Sequence, residues 1–281
     1  MKILITGATG RVGSRLVPRL LDQGYSVSVL VRNPELARDL QRRGAEIITG
    51  DLLQRQTLRE AVTHKDAIIH LAAAFRGVAP EVSRAVNMEG TIALADAALA
   101  AGVPRFIYAS TNLVYGPGTD ERYFNETDLP DPAGPYPLTK AAAERELLQL
   151  HRSRGLGLCI LRLAFVYGDG DPHLEEGMRW FRNWHPAQRI HLVHHADVAQ
   201  AVMLGIKSSR AKGQIFNVAD DQPVSAAEVL SIHNETMPAD AVSRTVDPSW
   251  LQLVDTTKIR EQLGFRPNYP SLYRALNEGA L

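Results

Sequence analysis

The first two dozen residues constrain the fold more than any other stretch. Residues 2–6 are a β-branched apolar run, Gly7, Gly10 and Gly13 follow at intervals of three, and residues 14–23 carry a helical pattern. Glycines so spaced permit a tight turn, close approach of backbone to a pyrophosphate, and close packing of helix on strand. The helix N-terminus adds amides and positive potential, which suit a phosphate. A glycine-rich run alone is common in loops, and the strand before it and helix after it are what specify a dinucleotide site. Gly7, Gly10, Arg11, Val12 and Gly13 are the expected contacts.

The next strand, residues 25–31, ends in Arg32. A fold of this kind that prefers NAD places an acid there for the ribose hydroxyl, whereas an arginine fits the 2′-phosphate. Arg32 therefore points to NADP, with NAD left open, and Arg11 either assists that phosphate or faces solvent. Two more strand–helix units follow. Residues 45–49 lead to Asp51 and Leu52, with Asp51 placed to approach the adenine edge, and the strand over 67–71 ends in Ala72 to Ala74, small enough to leave room for a cofactor, with Leu71, Ala72 and Ala73 as expected contacts. A long helical pattern over 81–101, containing Asn87 and Thr91, stops at Gly102 and Pro104, as helix-stop rules expect.

Residues 106–109 form a short buried-strand pattern that delivers hydroxyls, Ser110 and Thr111, at its carboxyl end, the edge where open α/β sheets bind ligands. Tyr136 and Lys140 then open an alanine-rich helix, four residues apart and so on one face. An ammonium beside a phenol favours the phenolate, which makes tyrosine a proton donor and acceptor near neutrality. Thr111 can add a hydroxyl to the same substrate oxygen. The spacing alone also describes a surface pair, and the glycine turn at the chain's start is what favours chemistry. With a sixth strand at 158–163, the rhythm specifies an α/β fold with a doubly wound parallel (Rossmann) sheet.

After Tyr167 the rhythm breaks. A short helix over 175–184 carries Trp180 and Trp184 as packing residues, a helix is expected over 196–206, a strand over 214–218 and a further helix over 224–231. The division expected is an NAD(P)-binding Rossmann domain at 1–166 and a smaller C-terminal substrate-binding lobe at 167–281, with segments near 196–220 returning to the sheet.

Charge excludes little but leans one way: 31 basic and 31 acidic residues leave no net field for nucleic acid or a membrane surface. The single Cys159 suits a reducing cytoplasm, and no secretory leader or spanning run is visible, so the expected protein is cytoplasmic with a small-molecule substrate. His191, His194 and His195 cluster beside one carboxylate, Asp197, too few acids to expect a metal. A hydrolase elbow motif is missing as well.

The motifs together resemble the extended short-chain dehydrogenase/reductase family, which includes nucleotide-sugar epimerases, dehydratases and NADP-dependent carbonyl reductases. The likeness is carried by Thr6 to Gly13, His70-Leu-Ala-Ala73, Asn87-Met-Glu-Gly-Thr91, Ser110-Thr-Asn-Leu-Val-Tyr-Gly116, Tyr136 with Lys140, Leu161 to Gly168, His194 to Ala199 and Leu263-Gly-Phe-Arg-Pro267. The resemblance implies Tyr136 as catalytic acid/base, Lys140 as its ribose-binding partner, Thr111 as the substrate-binding hydroxyl ahead of Ser110, and a homodimer through the helices holding Asn87 and following Tyr136. Where family dehydratases carry an acidic pair, this chain has Asn112 and Leu113, which argues against dehydration. The stretch between Gly168 and Asp197 looks short for a nucleotide-sugar enzyme, although Arg179, Arg182 and Arg189 can meet an anion. The expected function is an NADP-dependent oxidoreductase acting on a carbonyl or alcohol. The rivals are an epimerase using the same machinery and a non-enzymatic NADP-binding sensor.

Overall fold

The computed structural model describes residues 1–75, 77–119 and 121–281; Arg76 and Asp120 lie outside the described residues. By contact the chain divides into two compact units, each discontinuous in sequence: residues 1–111, 134–162 and 201–216 form one, and residues 112–133, 163–200 and 217–281 the other.

The first unit is built on a seven-stranded parallel sheet. Its strands are β1 (Lys2–Thr6), β2 (Ser26–Val31), β3 (Glu46–Thr49), β4 (Ala67–His70), β5 (Phe106–Thr111), β6 (Leu158–Leu163) and, later in the chain, Gln214–Val218, in the order 3-2-1-4-5-6 with the late strand beyond β6. Ile3 pairs in parallel with Val27 on one side and Ala67 on the other, so β1 lies inside the sheet and the order reverses beside it. The strands are apolar on both faces, as a sheet covered by helices demands. Ile3, Leu4, Ile5, Ile68, Ile69 and Phe106 are fully buried.

Helices α1 (Arg11–Asp22), α2 (Arg38–Arg42), α3 (Arg55–Val62), α4 (Pro80–Arg84), α5 (Thr91–Ala100) and α6 (Pro135–Arg154) fill the crossovers. The helical pattern expected over 81–101 is realised as α4 and α5 joined by a π-helical turn, Ala85–Gly90, which contains Asn87. Such insertions cluster at functional sites. α6 ends at Gly155 in the left-handed conformation, the usual glycine stop.

The second unit has its own core of Tyr167, Leu174, Met178, Phe181, Ile190, Leu192, Val224, Val229, Leu230, Leu272 and Ala275. It carries β7 (Phe165–Tyr167), α7 (His173–Phe181), β8 (Arg189–Ile190), β9 (Leu192–His194) and the start of α8 (His195–Lys207). The late sheet strand above is β10, and β11 (Val224–Ser225), α9 (Ala226–Ile232), α10 (Thr257–Leu263) and α11 (Leu272–Asn277) follow. β7 pairs in parallel with β9, and β8 antiparallel with β11. The segment expected as helix over 224–231 begins as strand. Ser225 then caps α9 through a reciprocal box with Glu228, so the helix cannot start before residue 226. α7 stops at Phe181, so Trp184 lies past the helix. Trp180 and Trp184 nevertheless both pack on Trp250, with ring centres 6.0 and 5.3 Å away.

The glycine turn meets its steric demands in the first unit's sheet. Gly7 has φ +73°, and a β-carbon on it would sit 2.6 Å from the Ala72 amide nitrogen. On Gly13 a β-carbon would lie 2.2 Å from the Gly7 carbonyl oxygen. Gly13→Ala should therefore force β1 and α1 apart and lower stability by roughly 1–3 kcal/mol in chemical denaturation; an unchanged midpoint would contradict this packing.

Candidate active site

Every strand of the first unit's central sheet that precedes a crossover delivers its carboxyl end to one edge, and the expected cofactor residues lie along it. α1 begins at Arg11 with Gly10 as its N-cap, and no side chain caps it. Its first amides therefore have no side-chain acceptor of their own, which is what an anion needs there. The Gly10 amide turns inward to the Gly7 carbonyl at 3.0 Å. At the end of β2, Arg32 is exposed and has no hydrogen-bond or ion-pair partner among the described residues. Arg11 is exposed as well. Asp51 folds back on itself, its carboxylate accepting from the Leu53 amide at 2.9 Å. Leu52 is buried in the core, packed under Gly90. These features fit a dinucleotide: a cradle that β-carbons would fill, an uncapped helix start and an unpartnered cation at the strand end.

Leu71, Ala72 and Ala73 run directly off β4. The Leu71 amide donates to the Thr6 carbonyl at 3.1 Å. The next residue, Ala74, is clamped by Asn87: its amide donates to the Asn87 side-chain oxygen at 2.7 Å, and its carbonyl accepts from Asn87 Nδ2 at 2.9 Å. The same Nδ2 lies 3.1 Å from Thr139 Oγ1, beside Lys140 on α6. A fully buried asparagine thus ties the loop after β4 to the helix that carries Tyr136.

A second buried chain lies beneath. The Thr91 hydroxyl donates to the Asn87 carbonyl, so at 2.7 Å it accepts from His70 Nε2–H. His70 Nδ1 then accepts from the Thr6 hydroxyl at 2.6 Å. Burial and the Lys140 charge push the His70 pKa down to about 3, which keeps the ring neutral and the direction of the chain fixed. Sequence reasoning assigned no role to Thr6, His70 or Asn87; the only signal was that His70, Asn87 and Thr91 stand in motifs of the resembled family.

Lys140 is 2% exposed, and its ammonium donates to the Ala109 carbonyl at 2.6 Å, immediately before Ser110 and Thr111. It also stands 4.0 Å above the centre of the Tyr108 ring. Burial lowers its pKa to about 7, with Glu144 pulling the other way. Tyr136, one turn earlier, is half-buried, and the Phe75 ring meets it edge-on at 4.8 Å. Ser110 and Thr111 are both buried at the end of β5, and Ser110 Oγ has no partner among the described residues. α6 and β5 therefore bring Tyr136 and Lys140 to the strand end that carries the hydroxyls.

Other residues turn out to be structural. Asn112 donates to the Gln252 carbonyl at 2.8 Å, which explains an amide where family dehydratases carry an acid. Arg182 is held by two bonds to Glu235 at 2.6 and 2.5 Å, while Arg179 lies over Trp180 and Arg189 donates to Tyr123 Oη. His191 accepts from the Val254 amide and donates to the Asp220 carbonyl; burial lowers its pKa to about 4. His194 reaches the Ala280 carbonyl and His195 the buried Asp171 carboxylate. Among the described residues, no helix is long and apolar enough to cross a membrane.

Comparison with known proteins agrees with this geometry. The sequence profile of the NAD dependent epimerase/dehydratase family matches residues 3–219. A ketoreductase of Stigmatella aurantiaca, named for 4-hydroxy-2-methyl-3-oxo-4-farnesyl-3,4-dihydroquinoline-1-oxide, is 32% identical over 84% of this chain and 73% of its own. The structure of Thermus thermophilus UDP-glucose 4-epimerase complexed with NAD superposes with a TM-score of 0.80 at 26% identity, covering 98% of this chain and 96% of that one. MoeE5 in complex with UDP-glucose and NAD gives 0.83 at 28% identity, covering 99% and 96%. The chain belongs to the NAD dependent epimerase/dehydratase family and is an enzyme of the extended short-chain dehydrogenase/reductase type.

Proposed function

We propose that the protein is an NADP-dependent oxidoreductase that reduces a carbonyl, or oxidises the matching alcohol, on a small or medium molecule. The observation that carries this reading is the placement of the buried Lys140 ammonium: one helical turn after Tyr136, and bonded to the carbonyl that precedes Ser110 and Thr111. The first amides of α1, with Gly7, Gly10, Arg11, Val12 and Gly13, would hold the pyrophosphate, and Arg32 the 2′-phosphate. Asp51 and Leu52 would bound the adenine, and Leu71, Ala72, Ala73, Ser110, Tyr136 and Lys140 the nicotinamide half. Bound there, the nicotinamide supplies the hydride. Tyr136 gives its phenolic proton to the substrate oxygen in reduction and takes it back in oxidation. Thr111 orients that oxygen, and Lys140 favours the phenolate form of Tyr136. Two chains would associate through the helices that hold Asn87 and follow Tyr136.

An epimerase is the second reading, favoured by the likeness to an NAD-bound UDP-glucose 4-epimerase. It would use the same residues to oxidise a sugar carbon transiently and return hydride to the other face. A redox enzyme consumes added NADPH with a carbonyl acceptor; an epimerase holds its cofactor and shows no net turnover of it.

Tyr136→Phe should cut turnover by about 10²–10⁴-fold while NADPH still binds, measured in a carbonyl-acceptor screen followed at the nicotinamide absorbance. Turnover at the wild-type rate would remove Tyr136 from the chemistry. Arg32→Ala should weaken NADPH about tenfold or more and leave NADH unchanged, read by fluorescence titration; an equal effect on both cofactors would refute the 2′-phosphate contact.

Lys140 also predicts a pH dependence of stability. Its pKa is depressed from 10.5 to about 7 in the folded chain, so between those values the unfolded chain holds more protons and stability rises with pH. Against Lys140→Met, the cofactor-free wild type should gain on the order of 1 kcal/mol per pH unit across that window. A flat difference would mean that Lys140 titrates normally.

A further inference from the structure

Behind Lys140 lies a pair of charges that the proposed chemistry does not use. Glu144 on α6 and Arg162 on β6 have side chains only 3% and 2% exposed. The guanidinium grips the carboxylate in a fork: Nη2 to Oε2 at 2.7 Å, and Nε to Oε1 and Oε2 at 3.1 and 3.2 Å. Desolvating two charges is expensive, and replacing such a pair with apolar residues is often neutral or stabilising. Fold stability is therefore a weak reason for this one to exist.

Its position suggests another reason. Residues 136, 140 and 144 recur every four along α6, so Tyr136, Lys140 and Glu144 form one stripe. The titratable groups coupled to Lys140 are His70 from β4, Tyr108 from β5 and Glu144 from α6. His70 is neutral, and the Tyr108 phenol is kept protonated by burial and by the Glu144 charge. Of this set Glu144 alone is an anion. Burial works against the Lys140 ammonium, and the carboxylate one turn on opposes that loss.

We propose that Glu144 is a positioning residue for the reaction: the counter-charge that keeps Lys140 an ammonium beneath Tyr136, with Arg162 fixing the carboxylate in place. The inference rests on the Tyr136–Lys140 reading for its functional meaning. The electrostatic coupling is testable without it, because Lys140 can be observed with no substrate present.

The test is 13Cε NMR of lysine-labelled protein, with the Lys140 resonance assigned by its loss in Lys140→Arg and followed from pH 5 to 10. In Glu144→Gln the Lys140 titration should move down by about one pH unit, and Glu144→Asp, which keeps the charge, should restore it towards wild type. Because Glu144→Gln breaks the buried ion pair with Arg162 and can fail to fold, the double variant Glu144→Met/Arg162→Met is measured alongside it; it removes the cation together with the anion and should show a smaller downward shift. A Lys140 titration that stays at its wild-type position in both variants would overturn the proposal and leave the pair as a clamp between α6 and β6. Tyr136→Phe turnover is a separate readout, so failure of the reaction assignment cannot be mistaken for failure of the coupling.

Discussion

A lysine ammonium inside a protein must be bonded and balanced by charge, or it gives up its proton. Lys140 meets both demands at one place: the Ala109 carbonyl takes its hydrogen bond, the Tyr108 ring lies beneath it and Glu144 stands one turn on. Since Lys140 is part of α6 and Ala109 part of β5, the same bond sets how the helix docks on the strand. Tyr136 at one end of that helix, and Ser110 and Thr111 at the end of that strand, inherit their placement from it.

The surrounding polar groups extend that constraint to the cofactor edge. Thr6, His70, Thr91 and Asn87 form a buried chain whose donors and acceptors are all assigned once Thr91 donates to the Asn87 carbonyl. Asn87 then holds Ala74 with both ends of its amide and, through the same Nδ2, reaches Thr139. Such networks are rigid when fully satisfied. The loop after β4 and the helix that carries Tyr136 are thus tied together by one side chain, supplied by a π-helical turn.

Much of this was legible in the residues. Strand and helix periodicity placed β6 and β10 at their observed bounds. Gly13 was readable because its steric need, against Gly7 and Ala8, is local, and Gly7 because it belongs to the same spaced turn. Asn87 and His70 were not: a buried asparagine or histidine looks like any other until its partners, far away in sequence, are known. The start of α9 was not legible, because the box made by Ser225 and Glu228 takes effect only after the short strand that precedes it. Arg182 read as a free cation because Glu235, its partner, is distant in the chain. What remains unreadable from pattern is the substrate, since its recognition falls on loops with no periodicity.

The central claim is that Lys140 makes Tyr136 a proton donor and acceptor near neutrality. The most direct measurement is 13Cζ NMR of tyrosine-labelled, cofactor-bound protein across pH, comparing wild type, Tyr136→Phe and Lys140→Met. The account predicts one resonance that titrates at lower pH than the other tyrosines, vanishes in Tyr136→Phe and moves up in Lys140→Met. If the Tyr136 resonance titrates alongside the exposed tyrosines and ignores the loss of Lys140, the pair is a structural neighbourhood and the chemistry lies elsewhere.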